Sequence, residues 1–308
     1  MKGPLFYAKI LLFGEYGIIK DSKGLAIPYN NYQGALKISE EITEDVKSSN
    51  ENLLKLYRYL AELDTDLVRF DLDAFYTDIS KGMYFDSSIP QGYGVGSSGA
   101  LVASVYEKYA FDKITVLENL TKDKLLKLKQ VFSLMESFFH GKSSGLDPLN
   151  SYLSLPILIN SNNHIEPTGI PYQKEGKAAV FLLDSKIIGE TEPMVSIFMN
   201  KMKNEGFRKM FSEEFATYTD ACIDNFLHGD VKTLFSNVKG LSKVVLENFK
   251  PMIPSSFHKM WKQGIETNDY YLKLCGSGGG GYILGFAKDY DKVKKELKDY
   301  NLELVYRF

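Results

Sequence analysis

The sequence predicts an α+β protein, because strand and helix patterns are distributed unevenly along its 308 residues. Alternating apolar residues in the first half predict strands over 5–19, 34–40 and 67–71, the first broken at Gly14. The second half is mostly helical in pattern and closes with a strand, a helix and a strand over 282–307. Strands followed by helices, rather than a regular alternation of the two, are typical of the α+β class.

Helices are predicted where apolar residues recur at three- and four-residue spacing. The predicted helices cover about 50–62, 122–140, 191–205, 209–228, 230–248, 255–267 and 289–299. A further strand is predicted at 178–184. Prolines, asparagines and glycines concentrated in 155–175 indicate a linker or a domain edge. The length is typical of two domains or one large domain.

The composition excludes several classes of function. The net charge is −2, so there is neither the electrostatic footprint of a nucleic-acid-binding protein nor a basic run for an anionic membrane. Cys222 and Cys275 are too few for a disulfide framework or a CxxC metal site. The sequence contains no secretory signal pattern and no apolar stretch of membrane-spanning length. We therefore expect a cytoplasmic protein without nucleic-acid or membrane partners.

The strongest local signal is the glycine- and serine-rich run Gly92–Gly99, which directly precedes a helical pattern. Glycines allow backbone amides to turn toward one point, and the positive end of a helix adds to their field, as in phosphate sites. Gly94–Gly99 spells GxGxxG, but Pro90 stands where a dinucleotide fold needs a buried strand. Gly141–Ser143 ends like a Walker A loop but lacks its leading glycine. A plain glycine-rich helix cap is the alternative.

A second signal lies around Asp147. Glu136 and His140 are four residues apart on a predicted helix and so share a face, and Asp147 follows in a Ser-Ser-Gly loop. An acid on a helix and a second acid in the adjacent loop could hold Mg²⁺ and act as a base, respectively. The alternative is a solvated glutamate, a helix-end histidine and a turn aspartate.

Two more features of the sequence, Lys9 and Gly276–Gly281, indicate specific contacts. Lys9 lies in an otherwise apolar strand, where its amine would meet an aspartate or a phosphate, or reach solvent at a sheet edge. Gly276–Gly281 is too glycine-dense for simple packing and precedes a strand. It indicates a second backbone cradle or a close approach to the first glycine-rich run, with a flexible hairpin as the alternative.

Together these segments resemble the three motifs of the GHMP kinases (galactokinase, homoserine kinase, mevalonate kinase and phosphomevalonate kinase). Lys9–Glu15 resembles the first motif, Pro90–Ala100 the second, and Leu274–Gly281 the third. Their order and wide separation match, so the resemblance spans nearly the whole chain. It implies a two-domain α+β fold, with domains at 1–165 and 166–308 and the active site in the cleft between them.

The resemblance implies an ATP-dependent kinase that uses Mg²⁺ and a small-molecule alcohol. The stretch from Glu136 to Asp147 is most similar to the mevalonate kinase branch, which phosphorylates the primary hydroxyl of mevalonate in isoprenoid synthesis. Asp147 is implied to be the general base, Lys9 to stabilise charge, and Ser98 and Glu136 to hold Mg²⁺. The residues implied to bind phosphate are Gly92, Gly94, Val95, Gly96, Ser97, Ser98, Gly99, Gly276, Ser277 and Gly278. Those implied to bind the acceptor are Glu15, Tyr16 and His140.

The chain departs from these motifs at Ala8, Tyr16, Gly99 and Pro148. At Ala8 and Gly99 one small residue replaces another, which predicts no consequence. Tyr16 and Pro148 lie near the expected acceptor pocket, so they leave the acceptor open.

One alternative is a phosphomevalonate kinase, since members of that branch resemble this chain more closely at Tyr16. Another is a different GHMP small-molecule kinase. A phosphomevalonate kinase would need extra cationic side chains in its acceptor pocket, with Lys20 and Lys142 as candidates. Further alternatives are a lyase like diphosphomevalonate decarboxylase and a GHMP-fold protein that binds a ligand without catalysis. For the oligomeric state, a homodimer is one alternative.

Overall fold

A computed structural model of the chain describes residues 4–20, 22–115, 120–160, 164–173 and 175–308. Helices and strands both run through these residues, which confirms the predicted α+β class. No helix among the described residues has the length and apolar character that crossing a bilayer requires.

The strands and helices of the described residues are as follows, in chain order. The strands are β1 (Phe6–Phe13), β2 (Gly24–Ile38), β3 (Met83–Ser87), β4 (Ile157–Ile159), β5 (Ile165–Pro167), β6 (Ala179–Asp184), β7 (Tyr270–Leu274), β8 (Tyr282–Ala287) and β9 (Leu302–Arg307). The helices are α1 (Glu44–Ala61), α2 (Leu72–Ser80), α3 (Ser97–Tyr109), α4 (Lys122–His140), α5 (Leu146–Leu153), α6 (Thr191–Lys201), α7 (Glu205–Met210), α8 (Ala216–His228), α9 (Val231–Asn248), α10 (His258–Thr267) and α11 (Tyr290–Glu296).

The strands form two sheets. One has five strands in the order β1-β2-β4-β5, with β3 also paired to β2. The long strand β2 serves two antiparallel partners, with Gly34 opposite Ser87 on β3 and Gly24 opposite Ile159 on β4. The other sheet has four strands in the order β7-β8-β6-β9, and its neighbouring strands are antiparallel.

The chain divides into two compact units that are interleaved in sequence. The first unit consists of the described residues of 1–9, 28–90 and 96–155, and the second of those of 10–27, 91–95 and 156–308. The glycine-rich run is therefore shared, because Gly92–Val95 belongs to the second unit and Gly96–Gly99 to the first. The domain boundary predicted at 165–166 stays a prediction.

Each unit has its own core. In the first, α3, α4 and α5 pack on one another, and the rings of Tyr106, Phe132 and Tyr152 make mutual edge contacts at centroid distances of 5.0–5.5 Å. In the second, α9 and α10 pack against β7. The indole of Trp261 on α10 is fully buried there and donates to the Ser242 hydroxyl at 2.9 Å.

Two local predictions were wrong. The chain does not continue as a strand after Gly14, because the positive φ angles of Gly14 (108°) and Tyr16 (60°) reverse it into a 3-10 turn at Gly17–Lys20. Residues 67–71 hold only a single bridge from Phe70 to Ala110. Of the two alternatives for 155–175, a boundary between the two units does fall at residues 155 and 156, but the segment is not a plain linker, because it contains β4 and β5, which pair in a sheet that extends from β2.

Candidate functional site

A lysine and a carboxylate meet at the start of α5. Lys9 on β1 has 5% of its side chain exposed, and its Nζ lies 2.9 Å from Oδ1 of Asp147. Asp147 occupies the first turn of α5, where the helix dipole stabilises a negative charge, and 39% of its side chain is exposed. The buried lysine thus has a carboxylate partner that remains accessible to small molecules.

Close backbone contacts bring the glycine-rich run to the same place. A Cβ on Gly99 would lie 2.7 Å from the carbonyl carbon of Asp147 and 2.8 Å from the nitrogen of Pro148. A Cβ on Gly96 would lie 2.9 Å from Cγ of Lys9. The expectation that Gly99 is a neutral exchange of small residues was therefore wrong, because even a methyl group would collide with the backbone beside Asp147.

Glu136 on α4 joins this group from the other side. Its side chain is buried, its Oε1 accepts from the Ser98 hydroxyl at 3.2 Å, and its Oε2 accepts from the Ser143 hydroxyl. Burial, and then the charge of Asp147, raise the pKa of Glu136 well above its usual range, although Ser143 and Lys9 oppose this. We call Lys9, Ser98, Glu136, Ser143 and Asp147 the acid–lysine cluster. All five lie in the first unit.

The N-terminus of α3 opens beside this cluster. Gly96 is its N-cap with φ 81° and provides no side-chain cap, and the first backbone bond of the helix runs from Ala100 N to Gly96 O at 3.0 Å. The amides of Ser97–Gly99 precede that bond and lie in the first turn of α3, which is where a helix presents N–H groups to an anion.

Within the second unit, the glycine-rich segment around Gly276–Gly281 packs against the beginning of the run Gly92–Gly99. A Cβ on Gly94 would lie 2.6 Å from Cys275 O, and one on Gly281 would lie 2.5 Å from Cα of Tyr93. Gly189, after β6, adds a bond from its amide to Gly92 O at 3.0 Å. Of the alternatives for this segment, the structure therefore shows the close approach of backbone to backbone.

A second lysine–carboxylate pair supports this packing. Lys273 on β7 forms a hydrogen-bonded ion pair with Glu15, and their side chains are only 3% and 4% exposed. Lys273 Nζ also donates to Leu274 O at 2.8 Å and lies 5.9 Å from the ring centroid of Phe13. The carboxylate of Glu15 is thus engaged inside the protein.

Tyr16 is also engaged internally. Its hydroxyl donates to Ser277 O at 2.6 Å, and its ring lies 4.6 Å from that of Phe198. Burial, followed by the charge of Glu15, raises the pKa of the Tyr16 hydroxyl, so it stays a neutral donor. The predicted acceptor contacts of Glu15 and Tyr16 stay predictions. His140 ends α4, and its side chain lies outside the part of the chain that the structure describes.

Two of these residues, Lys273 and Ser143, were not predicted as site residues from the sequence. Lys273 lies within the apolar run Tyr270–Leu274, which is the same signal that singled out Lys9, so the same rule could have found it. Ser143 stood out only as the last residue of an incomplete Walker A pattern, and a serine beside Gly145 is otherwise ordinary loop composition. Only the packing of this loop on α4 brings its hydroxyl to Glu136.

Comparison with known proteins supports the motif assignment. Residues 54–154 match the family model of the GHMP kinases N terminal domain. The match begins within α1 and ends after α5, so it includes Ser98, Glu136 and Asp147. No curated protein sequence matches the chain.

Solved small-molecule kinases share the fold over nearly the whole chain. L. major mevalonate kinase, in complex with R-mevalonate, is 17% identical with a TM-score of 0.63, covering 97% of this chain and 93% of that one. Streptococcus pneumoniae phosphomevalonate kinase, in complex with phosphomevalonate and AMPPNP, is 14% identical with a TM-score of 0.62 and 98% coverage of both chains. Lactococcus lactis galactokinase, complexed with galactose, is 12% identical with a TM-score of 0.61, covering 98% and 92%. The resemblance to GHMP kinases is confirmed, and at these identities the neighbours establish the fold alone.

Proposed function

We propose that this chain, which carries a GHMP kinase N-terminal domain, is an ATP-dependent kinase that phosphorylates the primary hydroxyl of mevalonate. The observation that carries the proposal is the acid–lysine cluster, where an accessible carboxylate, a buried lysine and a buried second acid lie beside the start of α3. Phosphoryl transfer depends on positioning and charge neutralisation, and this cluster supplies groups for both.

Asp147 is the proposed general base. Its carboxylate is exposed enough to accept the proton of an acceptor hydroxyl, and the amine of Lys9 holds it in place at 2.9 Å. Lys9 is held by its own burial and by the contact of its stem with Gly96, so the charge has a fixed position. Lys9 also places positive charge where the hydroxyl oxygen becomes negative during transfer.

The amides of Gly96–Gly99 are the proposed phosphate donors. Their position in the first turn of α3 and the positive end of that helix favour the triphosphate of ATP. The predicted contributors Gly92, Gly94 and Val95 precede them, and Gly276 shapes this part of the run by packing on Gly94. Ser277 and Gly278 stay predicted contributors.

The oxygen donors of the cluster fit Mg²⁺. Among the described residues, no three His, Cys, Asp or Glu side chains converge on a point, so the chain offers no self-sufficient metal cage. Mg²⁺ in kinases is usually bound by one or two carboxylates and completed by substrate phosphates and water. Glu136 and the Ser98 hydroxyl would hold it beside the α3 N-terminus. When bound, Mg²⁺ neutralises charge on the transferred phosphoryl group.

Mevalonate is proposed as the acceptor from the stretch Glu136–Asp147 and from fold similarity to a kinase solved with R-mevalonate. Tyr16 and the similarity to a phosphomevalonate kinase favour phosphomevalonate as the second candidate. That acceptor would need cations, and Lys20 and Lys142 are exposed. A role in isoprenoid synthesis and a cytoplasmic location accompany the proposal.

The test is a coupled assay of ADP release by the full chain with ATP, with and without Mg²⁺. Mevalonate, phosphomevalonate, homoserine and galactose are offered in parallel, and CO₂ release is measured with diphosphomevalonate. We expect Mg²⁺-dependent turnover on mevalonate and a phosphorylated product. Turnover on phosphomevalonate alone would replace the acceptor, and CO₂ release would replace the reaction. Nucleotide binding without turnover on any compound would favour a non-catalytic protein.

A further inference from the structure

We propose that Ser143 is a positioning residue that fixes the carboxylate of Glu136 and ties it to the loop leading to Asp147. The proposal rests on the proposed function, because it concerns the residues offered there to Mg²⁺ and to the acceptor hydroxyl. Ser143 lies between α4 and α5, directly after Lys142, and is partly exposed.

The first step is the contact with Glu136. The Ser143 hydroxyl donates to Oε2 of this buried carboxylate, and the Ser98 hydroxyl donates to Oε1 at 3.2 Å. Because each carboxylate oxygen accepts from a different hydroxyl, the plane of the carboxylate is set by two donors from separate segments. Ser98 comes from α3 and Ser143 from the loop that follows α4, so neither can replace the other.

The second step is the contact with the loop. The Ser143 hydroxyl accepts from the Gly145 amide at 3.0 Å, and the Ser143 carbonyl accepts from the Ser133 hydroxyl at 2.6 Å. Gly145 has φ 72°, and a Cβ there would lie 2.3 Å from Lys129 O, so this loop lies tightly on α4. One hydroxyl therefore connects Glu136 with the residue that caps the helix of Asp147.

The consequence concerns the geometry of the cation site. Mg²⁺ requires nearly ideal octahedral positions of its oxygen ligands, so a ligand carboxylate that can rotate binds it less well. Removing a side chain that orients a metal ligand typically lowers metal affinity by about 10–100-fold. The adjacent Ser144 is exposed, and its hydroxyl accepts from the Leu146 amide at 3.4 Å, so its loss should not free Glu136.

The test measures binding of the non-hydrolysable analogue AMPPNP to the full chain by calorimetry, in Mg²⁺ and in EDTA. We expect Ser143→Ala to weaken the Mg²⁺-dependent part of the affinity about 10–100-fold and to leave the affinity in EDTA unchanged. Ser144→Ala is the matched control and should resemble the unaltered protein in both buffers. Ser143→Thr restores a hydroxyl and should recover the Mg²⁺ dependence. If Ser143→Ala fails to fold, Ser143→Cys gives the same comparison with a weak donor of similar size.

The outcomes separate this role from the proposed function. Unaltered protein that binds no AMPPNP in Mg²⁺ would contradict the proposed function and, with it, the role of Ser143. If the unaltered protein binds AMPPNP and Ser143→Ala keeps its full Mg²⁺ dependence, only the role of Ser143 is overturned. An equal loss of affinity in Mg²⁺ and in EDTA would also overturn it, because the serine would then support the loop alone.

Discussion

The chain contains two buried lysines with carboxylate partners, and the two pairs differ in their access to solvent. Lys9 is 5% exposed, but its partner Asp147 is 39% exposed and a second acid, Glu136, lies close by. Lys273 and Glu15 are 3% and 4% exposed, within the second unit. The first pair joins β1 to α5 and the second joins β7 to the turn after β1, yet only the first leaves a carboxylate within reach of a small molecule.

This difference in exposure indicates a functional role for the pair with the accessible carboxylate and a structural role for the buried pair. An accessible acid held by a fixed cation, beside a second acid with a raised pKa, is the arrangement expected of groups that exchange protons or bind cations. A closed pair of single opposite charges cannot serve a substrate, but losing one partner leaves an uncompensated buried charge. We call Lys9–Asp147 the open pair and Lys273–Glu15 the closed pair. We therefore expect substitutions in the open pair to lower activity and those in the closed pair to lower stability.

The largest effect on stability is expected for Glu15→Gln. Lys273 would lose the carboxylate that it pairs with in a buried position, and breaking a buried ion pair from one side typically costs about 3–5 kcal/mol of unfolding free energy. Denaturant unfolding of the purified chain measures this loss. Asp147→Asn is the matched substitution in the open pair and should cost much less, because Glu136 can ionise beside Lys9 in its place.

The double substitution Glu15→Leu with Lys273→Met is the control for buried charge. Replacing both members with apolar side chains of similar size should recover most of the stability that Glu15→Gln loses. Equal destabilisation by Glu15→Gln and Asp147→Asn would remove the distinction between the two pairs.

A smaller loss of stability is expected for Gly99→Ala, opposite in sign to the usual effect of this substitution in a helix. Replacing a helical glycine with alanine usually stabilises a helix by about 1 kcal/mol. Here the added methyl would lie 2.7 Å from the Asp147 backbone, so we expect a loss of about 1–3 kcal/mol and a lower kcat. Thermal unfolding and steady-state kinetics measure both. Gly206→Ala on α7 is the control, since the nearest heavy atom there is Asn204 Oδ1 at 3.2 Å, and unchanged kcat in Gly99→Ala would contradict the account.

The smallest effect is expected for Tyr16→Phe, which removes the hydrogen bond to Ser277 O. Such a bond contributes about 0.5–1.5 kcal/mol, so stability should fall by that amount while the KM for the acceptor stays unchanged. The exposed Tyr172→Phe serves as the control. A raised acceptor KM with unchanged stability would instead favour the acceptor contact that the sequence predicts for Tyr16.

The fold class and the residue types of the site could be predicted because they rest on local patterns. Apolar periodicity predicts α4, and glycine spacing predicts the start of α3. The helix α5 could not be predicted this way, because Pro148 after Asp147 resembles a turn. Proline is tolerated in the first turn of a helix, where its missing amide leaves no bond unmade.

The contacts that depend on packing could not be predicted. The strands β4 and β5 are three residues long and exist because β2 extends to pair with β4. The steric importance of Gly99 depends on how closely α3 approaches α5, which no neighbouring residue indicates. The bond from Ser143 to Glu136 likewise requires the loop to lie on α4.

The measurement that tests the central claim most directly compares AMPPNP binding and mevalonate turnover in Asp147→Asn and in the unaltered chain. We expect unchanged affinity for AMPPNP in Mg²⁺ and a kcat lower by about 10²–10⁴-fold, the usual contribution of a general base. A variant that turns over mevalonate at the unaltered rate would show that the open pair does not perform the chemistry, and would contradict the account.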